Sequence, residues 1–130
     1  MGIFSAFARR QAPVTLEDRA PQTGVKLKDM LVLKQLMDVG ADLSAPRHVL
    51  YFLYFNDRAN AEAAASEATA SAFASKVSEP IPENPESWKV VCERHSYVLS
   101  MEAVRDNTNY FEQLAARFSG DYDGWEASLN

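Results

Sequence analysis

One cysteine, Cys92, stands in the whole sequence of 130 residues. No disulfide can form within the chain, and the lone thiol fits a reducing compartment. Glycine is sparse as well: its five residues are scattered singly, and none builds a phosphate-cradling loop. Histidine occurs twice, as His48 and His95. Neither lies beside a recognisable nucleophile motif, so no catalytic residues are assigned and no cofactor is expected. No apolar run approaches the ~20 residues that a membrane-spanning helix needs, and no membrane partner is expected. Basic charge is in deficit, with 13 Lys and Arg against 18 Asp and Glu for a formal net charge of -5. That balance disfavours a phosphate-binding surface and fits a chain that meets other proteins.

The opening Met1–Arg10 lacks the order of a secretory signal, because its charge follows the short apolar stretch and no long hydrophobic region comes after it. Ala6 stands where a myristoylation motif requires Ser or Thr. Together these features predict a cytoplasmic protein. With 47% hydrophobic residues, one domain of this length can bury a core without disulfides or metal.

What is present is organised around Arg47–Phe55, read as Arg-His-Val-Leu-Tyr-Phe-Leu-Tyr-Phe. Split by a period of two, Val49, Tyr51, Leu53 and Phe55 share one face, and His48, Leu50, Phe52 and Tyr54 share the other. Both faces are apolar, which predicts a central strand covered on both sides. Residues 1–24 show no sustained period and read as a flexible or loosely docked arm; Ile3, Phe4 and Phe7 have the spacing of a short amphipathic turn. Residues 25–39 read as a helix with Leu27, Met30, Leu31, Leu33, Leu36 and Met37 inward and Lys28, Asp29, Lys34, Gln35 and Asp38 mostly outward. Gly40 follows as its C-cap. After the central strand, Asn56 or Asp57 caps an alanine-rich helix that runs to about Phe73.

Residues 76–79 form an edge strand that enters a loop holding Pro80, Pro82 and Pro85. Residues 88–99 form a third strand, with Trp88, Val90 and Cys92 on one face and Val91 and Tyr97 on the other. Ser100 caps a last helix whose stripe is Met101, Val104, Phe111, Leu114, Ala115 and Phe118; Gly120 ends it, and residues 122–128 form the final strand. The order strand–helix–strand–strand–helix–strand, with the two richest strands first and third, predicts a ferredoxin-like βαββαβ sandwich. It is an α+β fold with a four-stranded antiparallel sheet, preceded by an extra N-terminal helix. Two helices cover one sheet face. The other face needs a cover, either the 25–39 helix or a second copy of the chain, so a monomer or weak homodimer is expected.

Cys92 and His95 are offset by three along a strand and so point to opposite faces, which excludes a shared ion unless the strand bends. His48 and His95 can meet across antiparallel neighbours, but two histidines without a third ligand make a poor site, and no metal is expected. Tyr51, Phe52, Tyr54 and Trp88 could imitate an RNA-stacking platform, yet the Trp88–His95 stretch lacks the glycine-aromatic signature of such modules. The string Gly120-Asp121-Tyr122-Asp123-Gly124-Trp125-Glu126 is the most distinctive. Asp-Gly favours a turn or bulge, with Trp125 packed beside the central strands. The same string suits a protein-binding rim in which Tyr122 and Trp125 act as anchors among Asp121, Asp123 and Glu126.

Tyr122-Asp123-Gly124-Trp125, taken with Gly40-Ala41-Asp42-Leu43-Ser44 and with Pro46-Arg47 before an aromatic strand, resembles the RraB family of ribonuclease E inhibitors. The order of elements from Val25 to Ser128 is similar to that family too. The resemblance implies a domain over residues 25–130 that acts as a non-catalytic regulator of RNA turnover. It also implies a ribonuclease as protein partner and no direct nucleic-acid contact. The better-known members carry a long acidic tail after this strand, where the present sequence reads Asn130 last. An RNA-binding module and a small ligand-binding or hydrolase domain, the latter built on His48, His95 and Glu93, stand as the alternatives.

Overall fold

Burial alternates without a break along the strand Arg47–Phe55, as a pleated ribbon with one face in the core requires. In the computed structural model, which describes residues 14–129, the elements run α1 (Leu27–Asp38), β1 (Arg47–Phe55), α2 (Arg58–Ala70), β2 (Ala74–Ser78), β3 (Trp88–Tyr97), α3 (Met101–Arg117) and β4 (Asp121–Ala127). The strands form one antiparallel sheet in the order β2-β3-β1-β4. This is the ferredoxin-like arrangement that the sequence predicts, with the two aromatic, β-branched strands inside and the poorer ones at the edges. The amphipathic turn suggested for Ile3, Phe4 and Phe7 lies outside the described residues.

Local chemistry explains where the helices begin. Asp57 accepts a hydrogen bond from the backbone N–H of Asn60 at 2.8 Å and so caps α2. Ser100 does the same for α3 through the N–H of Ala103 at 3.0 Å. In α2 the buried residues are Ala61, Ala64, Ala65 and Ala68, small enough to let the helix approach β2 and β3 closely. In α3 the apolar stripe is interrupted between Val104 and Phe111 by two buried polar residues, Asn107 and Thr108, while Met101, expected in the stripe, is 42% exposed. Asn107 donates to the hydroxyls of Tyr51 (3.1 Å) and Tyr97 (3.0 Å). Phe111 stacks on Tyr51 at 4.6 Å between ring centroids and on Tyr122 at 5.6 Å, so one aromatic ring ties α3 to both β1 and β4.

Only one face of the sheet is covered by these helices. Val49, Tyr51, Leu53 and Phe55 of β1 are buried, together with Val90 and Cys92 of β3. His48, Leu50, Phe52 and Tyr54 are only half-buried, so among the described residues β1 is not covered on both sides as its sequence suggests. Nor does α1 supply the missing cover. It lies on the helix side, beside α3 and β4, because Asp29 in its first turn faces inward rather than to solvent. Asp29 is 3% exposed. Its carboxylate accepts from Thr108 Oγ1 on α3 at 2.7 Å and from Trp125 Nε1 on β4 at 2.9 Å. That rotation buries Leu33 and Leu36 and leaves Leu31 and Met37 outside at 47% and 59% exposure, a different split from the one read off the periodicity.

The segment preceding α1 is tied down within the described residues. Arg19 forms a β-bridge with Lys26, donates to Asn109 Oδ1 at 2.7 Å and pairs with Glu112 at 3.1 Å. Lys26 pairs with Glu112 and, at 3.0 Å, with Glu17. Burial alone would lower the Lys26 pKa, but the hydrogen bonds it donates to Glu112 and Glu17 outweigh it and leave the ammonium above its ordinary value.

Removing the Asp29 carboxylate would strand two buried donors at once. Asp29→Ala is expected to lower unfolding free energy by about 3 kcal/mol, the cost of orphaning buried partners of a charged acceptor. Chemical denaturation checks this, and Thr108→Val combined with Trp125→Phe should make the same Asp29 substitution far less costly.

Candidate functional site

β4 carries the candidate site, and its geometry is set by one extra residue. Phe52 pairs with Gly124 and Leu53 with Tyr122, so Asp123 is bulged out between them. Gly124 has φ +109°, a conformation that costs glycine little and other residues much. Without the bulge, Tyr122 and Trp125, three apart, would point to opposite faces. With it both turn toward the helices, Tyr122 opposite Leu53 and Trp125 opposite Tyr51. Trp125 is 8% exposed, and its indole N–H is used by Asp29.

The expected rim is therefore divided. Asp121, Asp123 and Glu126 are exposed, whereas Tyr122 and Trp125 are not free anchors on the outer surface. Trp125 instead forms the floor of a groove. Val32, Gln35, Leu36 and Val39 line one side of it, and Glu126, Ala127 and Leu129 the other; the groove is open to solvent, with a volume of about 420 Å³. Val39 and Leu129 are 65% and 58% exposed, so the groove offers uncovered apolar surface beside the solvent-exposed carboxylate of Glu126. The sequence reading missed the α1 wall, because Val32 and Val39 lie off the stripe that the periodicity favours. The one available signal was Val39 directly before the capping Gly40.

The open sheet face is a second surface. Its centre is Leu50 and Phe52 of β1 with Val91 of β3, and Tyr54 and Lys89 lie toward one end. Tyr51 and Trp88 occupy the helix side, so only Phe52 and Tyr54 remain of the four aromatics that resemble an RNA platform. The residues that β3 adds to this face are Lys89, Val91, Glu93 and His95, with no Phe, Tyr or Trp among them.

At the other end of the open face His48 and His95 do meet, with ring centroids 4.5 Å apart. Glu93 joins them, its Oε2 lying 2.6 Å from His48 Nε2. The regular register of β1 and β3, Leu50 with Glu93 and Val49 with Arg94, brings this about, and an irregularity follows opposite Arg47–Val49. Ser96 has φ +56°, and the extra residue puts Tyr97 on the helix side, not beside Val91 as simple alternation predicts. Cys92 faces the helices, so it and His95 do lie on opposite faces. Burial pushes the Cys92 thiol up to about 11, and the hydrogen bond with Ser75 offsets this only in part.

The frame that these residues share is a ferredoxin-like α+β sandwich with an added helix against its β4 edge. Over residues 28–127 the sequence matches the RraB family, Regulator of ribonuclease activity B, and the chain belongs to that family. No curated protein matches it. Family members are thus described as regulators, and no helix among the described residues is long and apolar enough to cross a membrane.

The Cys92 environment gives a direct check on the packing. A thiol whose pKa is raised in the folded state adds stability that is complete below its unfolded value of 9.0 and is lost as pH rises toward about 11. Cys92 is expected to resist iodoacetamide at pH 8 until denaturant is added. Cys92→Ala should flatten the fall in melting temperature across that alkaline window.

Proposed function

We propose that this chain is a non-catalytic, cytoplasmic regulator that restrains ribonuclease E, or a related ribonuclease, by protein–protein contact at the groove between α1 and β4. The supporting observation is the groove itself: an apolar trough over Trp125 with Glu126 in its wall, on the strand that also exposes Asp121 and Asp123, in a member of the Regulator of ribonuclease activity B family. Apolar side chains from a partner segment fill the trough between Val39 and Leu129, removing from water the surface those two residues expose. The carboxylates favour a partner segment that carries basic residues, and the net charge of -5 speeds their encounter. Asp121, Tyr122, Asp123, Trp125 and Glu126 all belong to this site, but in two roles. The acidic residues meet the partner, while Tyr122 and Trp125 fix the shape of the trough from within.

The test is inhibition of RNA cleavage by purified ribonuclease E, with binding measured alongside. Val39→Lys alters an exposed residue and should leave the fold intact. It is expected to weaken binding and inhibition by roughly thirtyfold, the size of an interface hot spot. Asp123→Lys should slow association several-fold and weaken its dependence on salt. Phe52→Ser on the open sheet face is expected to act like wild type. Full inhibition by folded Val39→Lys, or loss of inhibition in Phe52→Ser, would move the contact away from the groove. Salt-dependent retention of RNA by the protein alone would favour direct nucleic-acid binding instead.

A further inference from the structure

A second cluster, separate from the groove, gathers metal-ligating atoms on the two central strands. His48 comes from β1, and Glu93 and His95 come from alternate positions of β3. The imidazole rings stack 4.5 Å apart with 7° between their planes. Glu93 Oε2 lies 2.6 Å from His48 Nε2 and 3.8 Å from His95 Nε2, and the ligand atoms of the three residues all lie within 4.8 Å of one another.

An ion bound tetrahedrally, with metal–ligand bonds of ~2.0–2.2 Å, holds its donors about 3.4 Å apart. Distances of 2.6 and 3.8 Å bracket that value, but rings 7° from parallel cannot both aim an in-plane lone pair at one ion, so binding requires the exposed His95 imidazole to rotate out of the stack. The longer distance also shows that Glu93 and His95 are not hydrogen-bonded, although both imidazole Nε2 atoms are turned toward the same carboxylate oxygen. Side-chain exposures of 40% for His48, 33% for Glu93 and 69% for His95 leave the solvent side open for a further ligand.

We propose that His48, Glu93 and His95 form a surface site for one Zn²⁺ ion, with water or a partner's donor in the fourth position. Two neutral imidazoles and one carboxylate suit a borderline ion such as zinc, whereas Mg²⁺ and Ca²⁺ favour all-oxygen shells. No cation competes from the neighbouring position, because Arg94 points to the helix side and lies over the rings of Phe73 and Tyr97. Cys92 is excluded as a ligand by its place on that same buried side. The ion-free alternative uses the same contacts, as a His48–Glu93 hydrogen bond with the second imidazole stacked on it.

Zinc titration of the full, tag-free chain separates the two, because the sequence contains no histidine besides these two. Calorimetry with zinc chloride is expected to show one ion per chain, with no matching signal from magnesium chloride. His95→Gln and Glu93→Gln should each weaken zinc binding by more than tenfold, at least the loss caused by removing an outer-shell partner. His95 is mostly exposed, so that variant should keep the wild-type fold by circular dichroism. Cobalt substitution should give visible bands without thiolate charge transfer. No saturable binding at free zinc up to about 1 mM would overturn the proposal, as would wild-type affinity in His95→Gln or a thiolate band from Cys92.

Discussion

The Asp29 carboxylate is shared between two elements that have no other reason to find it: Thr108 in the middle of α3 and Trp125 on β4. Taking a carboxylate out of water is costly unless its oxygens are satisfied, and here each oxygen has a donor. The consequence is positional. The carboxylate fixes the rotation of α1 about its own axis, sends Leu33 and Leu36 inward, and leaves Val32 and Val39 facing the edge of the sheet. The groove exists because of that rotation. Ion pairs from Lys26 and Arg19 to Glu112 hold the preceding segment against the same helix and reinforce the placement.

Two irregular positions in the sheet decide which side chains reach which surface. On β4 the bulge at Asp123 turns Tyr122 and Trp125 together into the helix layer and pushes three carboxylates outward. On β3 the extra residue near Ser96 sends Tyr97 to the helix side, while the regular register before it keeps Arg94 on that side and Glu93 and His95 beside His48. A regular ladder would have parted Tyr122 from Trp125 and turned Tyr97 to the open face, because side chains alternate strictly along an unbulged strand. The inward placement of these three aromatic residues therefore rests on a backbone feature rather than on the choice of residues alone.

The protein thus presents two surfaces of different character. The groove by α1 combines apolar walls with the carboxylate of Glu126, a combination suited to a partner segment carrying both apolar and basic side chains. The open sheet face is shallower. It has Leu50, Phe52 and Val91 at its centre and a histidine–carboxylate cluster at one end. Its aromatic content is half of what the strand sequence suggests, since Tyr51 and Trp88 are committed to the core. Regulation by contact at the groove needs no chemistry on the open face, so the two surfaces can serve separate purposes.

Much of the frame was legible in the residues themselves. The aromatic, β-branched composition of Arg47–Phe55, the caps at Asp57 and Ser100, and the prolines after β2 dictate element type and strand rank, because propensity, capping and hydrogen-bond capacity are local properties. The resemblance to the family likewise rests on short strings that need no coordinates. Periodicity failed where a polar residue serves as glue. It placed Asp29 outside because carboxylates ordinarily seek water, and it had no means of knowing that Thr108 and Trp125 would satisfy one in the core. Nor can a period of two foresee a bulge, so the joint inward turn of Tyr122 and Trp125, and that of Tyr97, were settled only by strand register, whereas the meeting of His48 and His95 beside Glu93 was legible in strict alternation on antiparallel neighbours. Composition determined what the chain can bury. The pairing of distant strands determined what it shows to a partner.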